Sequence, residues 1–308
     1  MPVRFHNPYL LLTLAALFWS GNMVVGRAMH GEVPPFALAF WRWVIALLLT
    51  LPPALPHWRD GWPRLRKEWK AVAALGLLGV GGYNTFTYIA LQYTGATNAS
   101  LLNSFCPVAT IALSWAFFGK RLSGVEWLGV LASLVGVAVI VSRGEPATLL
   151  ALAPNVGDLW MLTAVLVWAL YTIGLQWRPA GVPPMLLLAA LMTVGLLALT
   201  PFYAWEMAQG RRIVLSASSV MGIAYVGTLP SFAGFIFYNR AVGEVGASKA
   251  SLFLHLMPVF GTLLATLFLG ETPRLFHGIG IGLIFLGIYL ATANRAKPRE
   301  NHGHGEKT

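Results

Sequence analysis

The segment from Gly246 to Glu271, GASKASLFLHLMPVFGTLLATLFLGE, has an earlier counterpart from Gly95 to Lys120, GATNASLLNSFCPVATIALSWAFFGK. Ala96, Ala99, Ser100, Leu101, Pro107 and Gly119 match Ala247, Ala250, Ser251, Leu252, Pro258 and Gly270 at a constant separation of 151 residues. An apolar, helix-length segment that recurs at half-chain spacing marks a duplication, and that limits the fold more than any other feature. The N-terminal parts repeat too. Trp19, Val33, Pro34, Pro35 and Pro52 correspond to Trp168, Val182, Pro183, Pro184 and Pro201 at a separation of 149, so a two-residue length difference lies between Pro52 and Ala90.

Each copy holds five apolar runs. The ten runs cover 8–29, 34–56, 69–92, 96–118, 123–142, 157–177, 183–206, 217–242, 247–269 and 274–294. Each is close to the ~20 residues that a helix needs to cross ~30 Å of hydrocarbon. With 57% hydrophobic and 10% charged residues and a mean hydropathy of +0.67, the chain cannot cover itself with a wetted surface. The fold expected is all-α and polytopic, with ten transmembrane helices. Five is odd, so tandem copies must insert in opposite senses, and the architecture expected is two inverted repeats, 1–148 and 149–295, followed by a disordered tail, 296–308.

The net charge of +10 does not point to nucleic acid, because the basic residues gather at the junctions between apolar runs. With the N-terminus inside, alternate connections carry 15 Lys and Arg on the cytoplasmic side against 5 on the other, which puts both termini in the cytoplasm. Arg4 ahead of an apolar run resembles a secretory signal, but no small-residue cleavage site follows near Trp19 and the run has an internal copy. A lone cysteine, Cys106, rules out an intrachain disulfide and a thiolate metal site, and the tail histidines His302 and His304 are too few for one. No metal, cofactor or catalytic residue is expected. HExxH, GxSxG and Walker patterns are all absent.

In inverted-repeat transporters the binding site lies near the midplane, where helices are broken at matching positions. Gly79 in the third run matches Pro230 in the eighth, and Pro107 in the fourth matches Pro258 in the ninth, so these four are candidate hinges. Close helix packing by glycine and tolerated membrane proline are the competing readings. Trp19 and Asn22 share a helix face, as do their counterparts Trp168 and Tyr171, and together they suggest an amphipathic pocket. Tyr83, Asn84, Thr87 and Tyr88 in the third run, Asn98, Asn103 and Ser104 in the fourth, and Ser231, Tyr238 and Asn239 in the eighth add buried polar groups that need partners.

Two ionisable residues fall inside runs. Arg42 costs ~2.5 kcal/mol or more at mid-bilayer, so it should face protein or water, either snorkelling or bonding the free carbonyls of a broken helix, or binding a substrate carboxylate or phosphate. His255, the counterpart of Ser104, is either a proton-coupling group or a structural link between helices. No carboxylate sits mid-run, since Glu126, Asp158, Glu206 and Glu271 are all near ends, which disfavours organic cations. The GxxxG pair Gly278 and Gly282, with Gly280 beside it, is expected to pack inside the bundle, leaving a monomer or weak dimer.

The opening FWSGN (Phe18 to Asn22), the FWRW of the second run and the twin pattern ending PVFGTLLATLFLGE resemble the EamA-type branch of the drug/metabolite transporter superfamily. That resemblance covers nearly the whole chain and implies ten helices and export or exchange of small metabolites across the inner membrane. Aromatic richness and length are similar to the YddG-type amino-acid exporters. Lys120 departs from the family pattern, standing where the second copy keeps Glu271. The function expected is export of amino acids or similar zwitterions through a central cavity, with the lipid bilayer and a small-molecule substrate as the partners. Two alternatives stand beside it: a nucleotide-sugar or phosphorylated-metabolite exchanger, supported by Arg42 alone, and a non-transporting receptor or scaffold, which leaves the symmetric helix breakers unexplained.

Overall fold

A computed structural model of the chain describes residues 7–29, 31–94, 96–150, 155–269 and 274–293. All regular elements among them are helical, and ten helices are long and apolar enough to cross a membrane. These are α1 (Pro8–Gly26), α2 (Pro35–Lys67), α3 (Trp69–Tyr93), α4 (Ala99–Phe118), α5 (Gly124–Val141), α6 (Val156–Trp177), α7 (Pro184–Ala208), α8 (Ala217–Val245), α9 (Ala247–Leu264) and α10 (Leu275–Thr292). They follow the ten apolar runs closely. Gly270, Glu271 and the tail from 294 lie outside the described residues.

Local chemistry sets the helix starts. α2 and α7 open on Pro35 and Pro184, where proline's missing N–H costs no hydrogen bond and its fixed φ suits the first turn. α5, α6 and α8 open on capping boxes, Ser123 with Glu126, Asn155 with Asp158, and Ser216 with Ser219. This explains why Glu126 and Asp158 sit at ends. Glu206 caps a different helix from its own. It is 1% exposed near the end of α7, and its carboxylate accepts from the Phe36 and Ala37 amides at 3.3 and 2.7 Å, answering the positive end of α2.

The expected weak points are real but differ in kind. α3 and α8 each carry a π-helical turn, Gly76–Gly82 and Gly227–Ala233, and these lie 151 residues apart, with Gly79 and Pro230 at their centres. The 151-residue spacing is therefore already in place at Gly76, so the length difference between the copies falls between Pro52 and Gly76. In α4 the helix stops at Asn103 and restarts at Cys106. In α9 a 3₁₀ turn, Phe253–His255, separates two α-helical pieces. Pro107 and Pro258 thus sit in the first turn after a break rather than inside a continuous helix that they bend.

Packing recurs between the halves. α1 lies against α8 and α9, and α6 lies against α3 and α4; α2 packs on α7 and the π turn of α8, and α7 packs on α2 and the π turn of α3. α5 and α10 pair most closely. A Cβ on Gly129 would lie 2.5 Å from the Gly287 carbonyl oxygen, and one on Gly136 would lie 2.6 Å from that of Gly280. Rising numbers on one helix meet falling numbers on the other, so the two run antiparallel, and glycine lets the backbones touch. The expected packing of Gly278 and Gly282 inside the bundle does not form. Gly278 and Gly282 have nothing within 4 Å of a built Cβ, and it is Gly280 and Gly287, one residue in seven, that face the bundle.

Candidate functional site

Between the halves lies an aromatic septum. Trp168, 2% exposed, meets Trp19, Tyr83, Tyr171, Phe235 and Tyr238 with ring centroids 4.8–5.7 Å apart. Trp19 is fixed by its Nε1, which donates to the Pro230 carbonyl at 2.9 Å, and so is tied to the π turn of α8. On the opposite side the π turn of α3 receives Tyr171: a Cβ on Gly79 would stand 2.3 Å from its ring. The candidates Trp19, Tyr83, Trp168, Tyr171 and Tyr238 are brought together, but they fill the space. Only about 10 Å³ remains among Trp19, Asn22, Tyr83, Asn84, Trp168 and Phe235. Edge-to-face rings interlock without leaving a ligand-sized void.

Arg42 is fully buried beside this septum. Its Nε donates to Ser231 Oγ at 2.7 Å, and one terminal nitrogen, Nη1, donates to Asn84 Oδ1 at 2.7 Å, Tyr88 OH at 2.5 Å and Asn22 Oδ1 at 3.3 Å. All these acceptors are neutral, and Nη2 has no hydrogen-bond partner among the described residues. A guanidinium held this way is oriented but not neutralised.

The same polar pair is built twice with its residue types exchanged. Tyr88 OH donates to Asn22 Oδ1 at 3.0 Å, and Tyr171 OH donates to Asn239 Oδ1 at 2.8 Å. Asn22 corresponds to Tyr171, and Tyr88 to Asn239. The site is therefore symmetric in chemistry and asymmetric in charge, because the counterpart of Arg42 is Leu191.

Two cavities flank the septum at corresponding positions. One, of about 740 Å³, is lined by Leu175, Val182, Pro184, Leu187, Leu191 and Asn239 among others, with Arg178, Arg240 and Glu244 also on its wall. The other is lined by Gly26, Val33, Pro35, Leu38, Tyr88, Leu91 and Gln92, and it measures about 10 Å³. Leu175, Val182, Pro184, Leu187 and Asn239 are the counterparts of Gly26, Val33, Pro35, Leu38 and Tyr88. One vestibule is open and its mate has collapsed. On the collapsed side Glu32, in the α1–α2 connection, holds the α7–α8 connection: Oε2 accepts from Ser216 and Ser218 Oγ, each at 2.8 Å, and its carbonyl accepts from Val214 N at 2.9 Å. Those hydroxyl bonds hold the Glu32 carboxyl below the usual carboxylate range, so this clamp persists at neutral pH and loosens only in acid.

His255 stands apart from the septum. Its Nε2 donates to the Ser104 carbonyl and its Nδ1 is paired with Ser133 Oγ, both at 2.8 Å, linking the breaks of α4 and α9 to α5. Thr87 Oγ1 bonds its own helix at the Tyr83 carbonyl, and the side chain of Asn98 lies outside the described residues. A third cavity, about 300 Å³, opens beside these breaks, with Ser20, Met23, Asn103, Ser104, Met257 and Pro258 on its wall. His255→Ala is expected to cost ~1–3 kcal/mol by stranding buried partners. It should lower thermal stability in detergent and leave the pH profile of transport unchanged; a flattened profile would make the histidine a proton carrier.

Sequence reasoning misses Phe235 and Ser133 and reads Glu206 only as a carboxylate near the end of a run. Phe235 carried a signal, being three residues before Tyr238 and so on its face. Ser133 and Glu206 carried none, because each acts on a helix distant in sequence.

Ten helices long and apolar enough to cross a membrane, with the septum and its flanking cavities between them, describe a polytopic membrane protein. The sequence model of the EamA-like transporter family matches twice, over residues 6–142 and 155–293, and the chain belongs to that family. It is 26% identical to YyaM of Bacillus subtilis, an uncharacterized transporter, with 96% of each chain covered. An uncharacterized transporter of Archaeoglobus fulgidus is 29% identical, with 93% of this chain and 98% of that protein covered. A solved crystal structure at 22% identity shares the fold, with a TM-score of 0.76 over 93% of this chain and 96% of the other.

Proposed function

We propose that this chain exports small amphipathic solutes that carry a carboxylate, amino acids foremost, across the inner membrane by alternating access. The observation that carries the reading is the pair of counterpart vestibules, about 740 Å³ on one side and about 10 Å³ on the other. Inverted repeats interconvert by exchanging the conformations of their halves, which opens one vestibule as the other closes. The antiparallel crossing of α5 and α10 and the exchanged Tyr–Asn pairs support that symmetry. The open vestibule adjoins the α6–α7 connection, which the distribution of basic residues assigns to the cytoplasm. Loading would thus occur from inside, as export requires.

Exchange of the two conformations gives Arg42 its role. Leu191 lines the open vestibule, so in the reversed state Arg42 would line the opposite one and meet solvent and solute. Its free Nη2 suits a carboxylate, the tyrosine hydroxyls and amide oxygens nearby suit an ammonium, and the septum rings suit an apolar or aromatic side chain. This is the substrate chemistry of the YddG-type exporters that the sequence resembles. Proteoliposomes loaded with radiolabelled tryptophan, phenylalanine or leucine should release them faster than protein-free vesicles; no release of any proteinogenic amino acid overturns the substrate assignment.

Arg178 and Arg240 on the open vestibule's wall favour a second reading, exchange of phosphorylated metabolites. Arg240, however, is paired with Glu244 at 3.1 Å. Counterflow with inorganic phosphate or hexose phosphate, together with no amino-acid flux, would establish this second reading.

A further inference from the structure

Past Ala54, α2 does not end. A 3₁₀ turn, Leu55–His57, leads into a ten-residue helix, Trp58–Lys67, that has no counterpart in the second half, where residues 209–216 form an irregular connection. On one face of this helix Trp58, Trp62, Leu65 and Arg66 follow the i, i+4, i+7, i+8 pattern of a single stripe, and Trp69, the first residue of the next helical piece beyond Glu68, joins them at the same cavity. That stripe walls a cavity of about 360 Å³ against Leu51, Val72, Ala190 and Thr193. The three tryptophans are 46–60% exposed.

We propose that this groove is a binding site for one anionic phospholipid, with its phosphate on Arg66 and an acyl chain running down the groove toward Thr193. From Pro184, at the start of α7, to Thr193 the helix rises roughly 14 Å at 1.5 Å per residue, so the groove reaches from the membrane interface into the hydrocarbon. Tryptophan lines its rim as at other membrane interfaces. Arg66 is the basic residue on the groove's own wall, and the stretch that carries it also holds Arg59, Arg64, Lys67 and Lys70 against Asp60 and Glu68, which favours an anionic over a zwitterionic headgroup. A neutral lipid would fill the apolar part equally well but would leave this charge unanswered. A soluble anion would answer the charge but not the groove.

The groove also shares a wall with the open vestibule. Leu186, Ala189, Ala190, Thr193 and Val194 face the groove, whereas Pro184, Leu187, Leu188 and Leu191 face the vestibule, so the two cavities lie on opposite sides of α7. Arg64 Nη1 donates to the Gly181 carbonyl at the vestibule rim, and Gly61 lets Leu186 pack against the short helix. A lipid seated here would therefore brace α7, the helix that also walls the vestibule.

Native mass spectrometry of the full chain, delipidated in detergent and offered equal dioleoyl phosphatidylglycerol and dioleoyl phosphatidylcholine, tests the site. Retention of phosphatidylglycerol at roughly fivefold or more over phosphatidylcholine is expected. Arg66→Ala should bring the two near parity, while Arg211→Ala with Arg212→Ala, in the connection that lacks the helix, should leave the preference intact. Equal retention by the unaltered chain, or a preference that survives Arg66→Ala, or one that falls equally with the Arg211 and Arg212 pair, overturns the proposal. Ala190→Trp, which fills the groove without touching the rim charge, should also expel the lipid; if that variant does not fold, Arg66→Ala alone decides.

Discussion

Arg42→Met is expected to leave a folded protein whose flux for a free amino acid falls roughly 10- to 150-fold, the equivalent of ~1.5–3 kcal/mol for one hydrogen bond to a charged group. The amide of the same amino acid, which lacks the carboxylate, should be carried as before. Two opposing effects decide that the fold survives. Removing the guanidinium strands Asn84 Oδ1, at a cost of ~1–3 kcal/mol. It also removes a charge buried without a counter-ion among the described residues, whose desolvation costs several kcal/mol. The remaining contacts do not depend on Arg42, because Tyr88 still donates to Asn22 at 3.0 Å and Ser231 Oγ still donates to the Val226 carbonyl at 2.6 Å. Closure on that side should therefore persist, and a cysteine placed at Leu38 should stay unreactive; the native Cys106 is buried and gives a low background. Equal loss of flux for the acid and its amide would make Arg42 a structural residue and remove the carboxylate from the proposal. Arg42→Lys should not restore the free acid, since a single ammonium cannot hold Ser231 and Asn84 and still present a free donor.

The features legible in the sequence were those that repeat. Ten spans follow from run length, and the matched weak points at Gly79 and Pro230 follow from residue types that disfavour a regular helix at one depth. That these points are π turns was not legible, because glycine and proline announce a weakness without specifying how the backbone relieves it. Of the septum residues, Trp19, Trp168 and Tyr171 were readable as a group, Tyr83 and Tyr238 only as buried polar side chains, and Phe235 not at all. Their packing was not, since whether six aromatic rings line a void or fill it depends on their mutual tilt. The charge asymmetry was visible in Arg42. Its partners Ser231 and Asn84 sit on α8 and α3, 189 and 42 residues away, and a single sequence holds no record of such pairings. His255 shows the same limit: its position left proton coupling and a structural link between helices both open, and only the structure shows its partners, Ser133 and Ser104.

Trp168→Ala should be the most damaging single change in the septum, costing ~3–5 kcal/mol as large-to-small core substitutions of tryptophan do. Five aromatic partners lose their common neighbour, and the void left behind is apolar and enclosed. Its counterpart Trp19 should cost less, because at 8% exposure against 2% it gives up less burial, although its bond to the Pro230 carbonyl is lost as well. An enclosed apolar void binds small aromatic molecules. Millimolar indole should therefore raise the thermal stability of Trp168→Ala in detergent and leave the unaltered chain unmoved. Flux then separates two roles for the septum. If indole restores stability and blocks the residual flux, the space occupied by Trp168 lies on the solute's path, and the ring must swing aside during each cycle. If indole restores both stability and flux, the ring serves only as a wedge between the halves, and the solute passes along Arg42 and the Tyr–Asn pairs instead. Indole that changes neither would mean that the five neighbouring rings had collapsed into the space, and the septum would then be softer than its interlocked geometry implies.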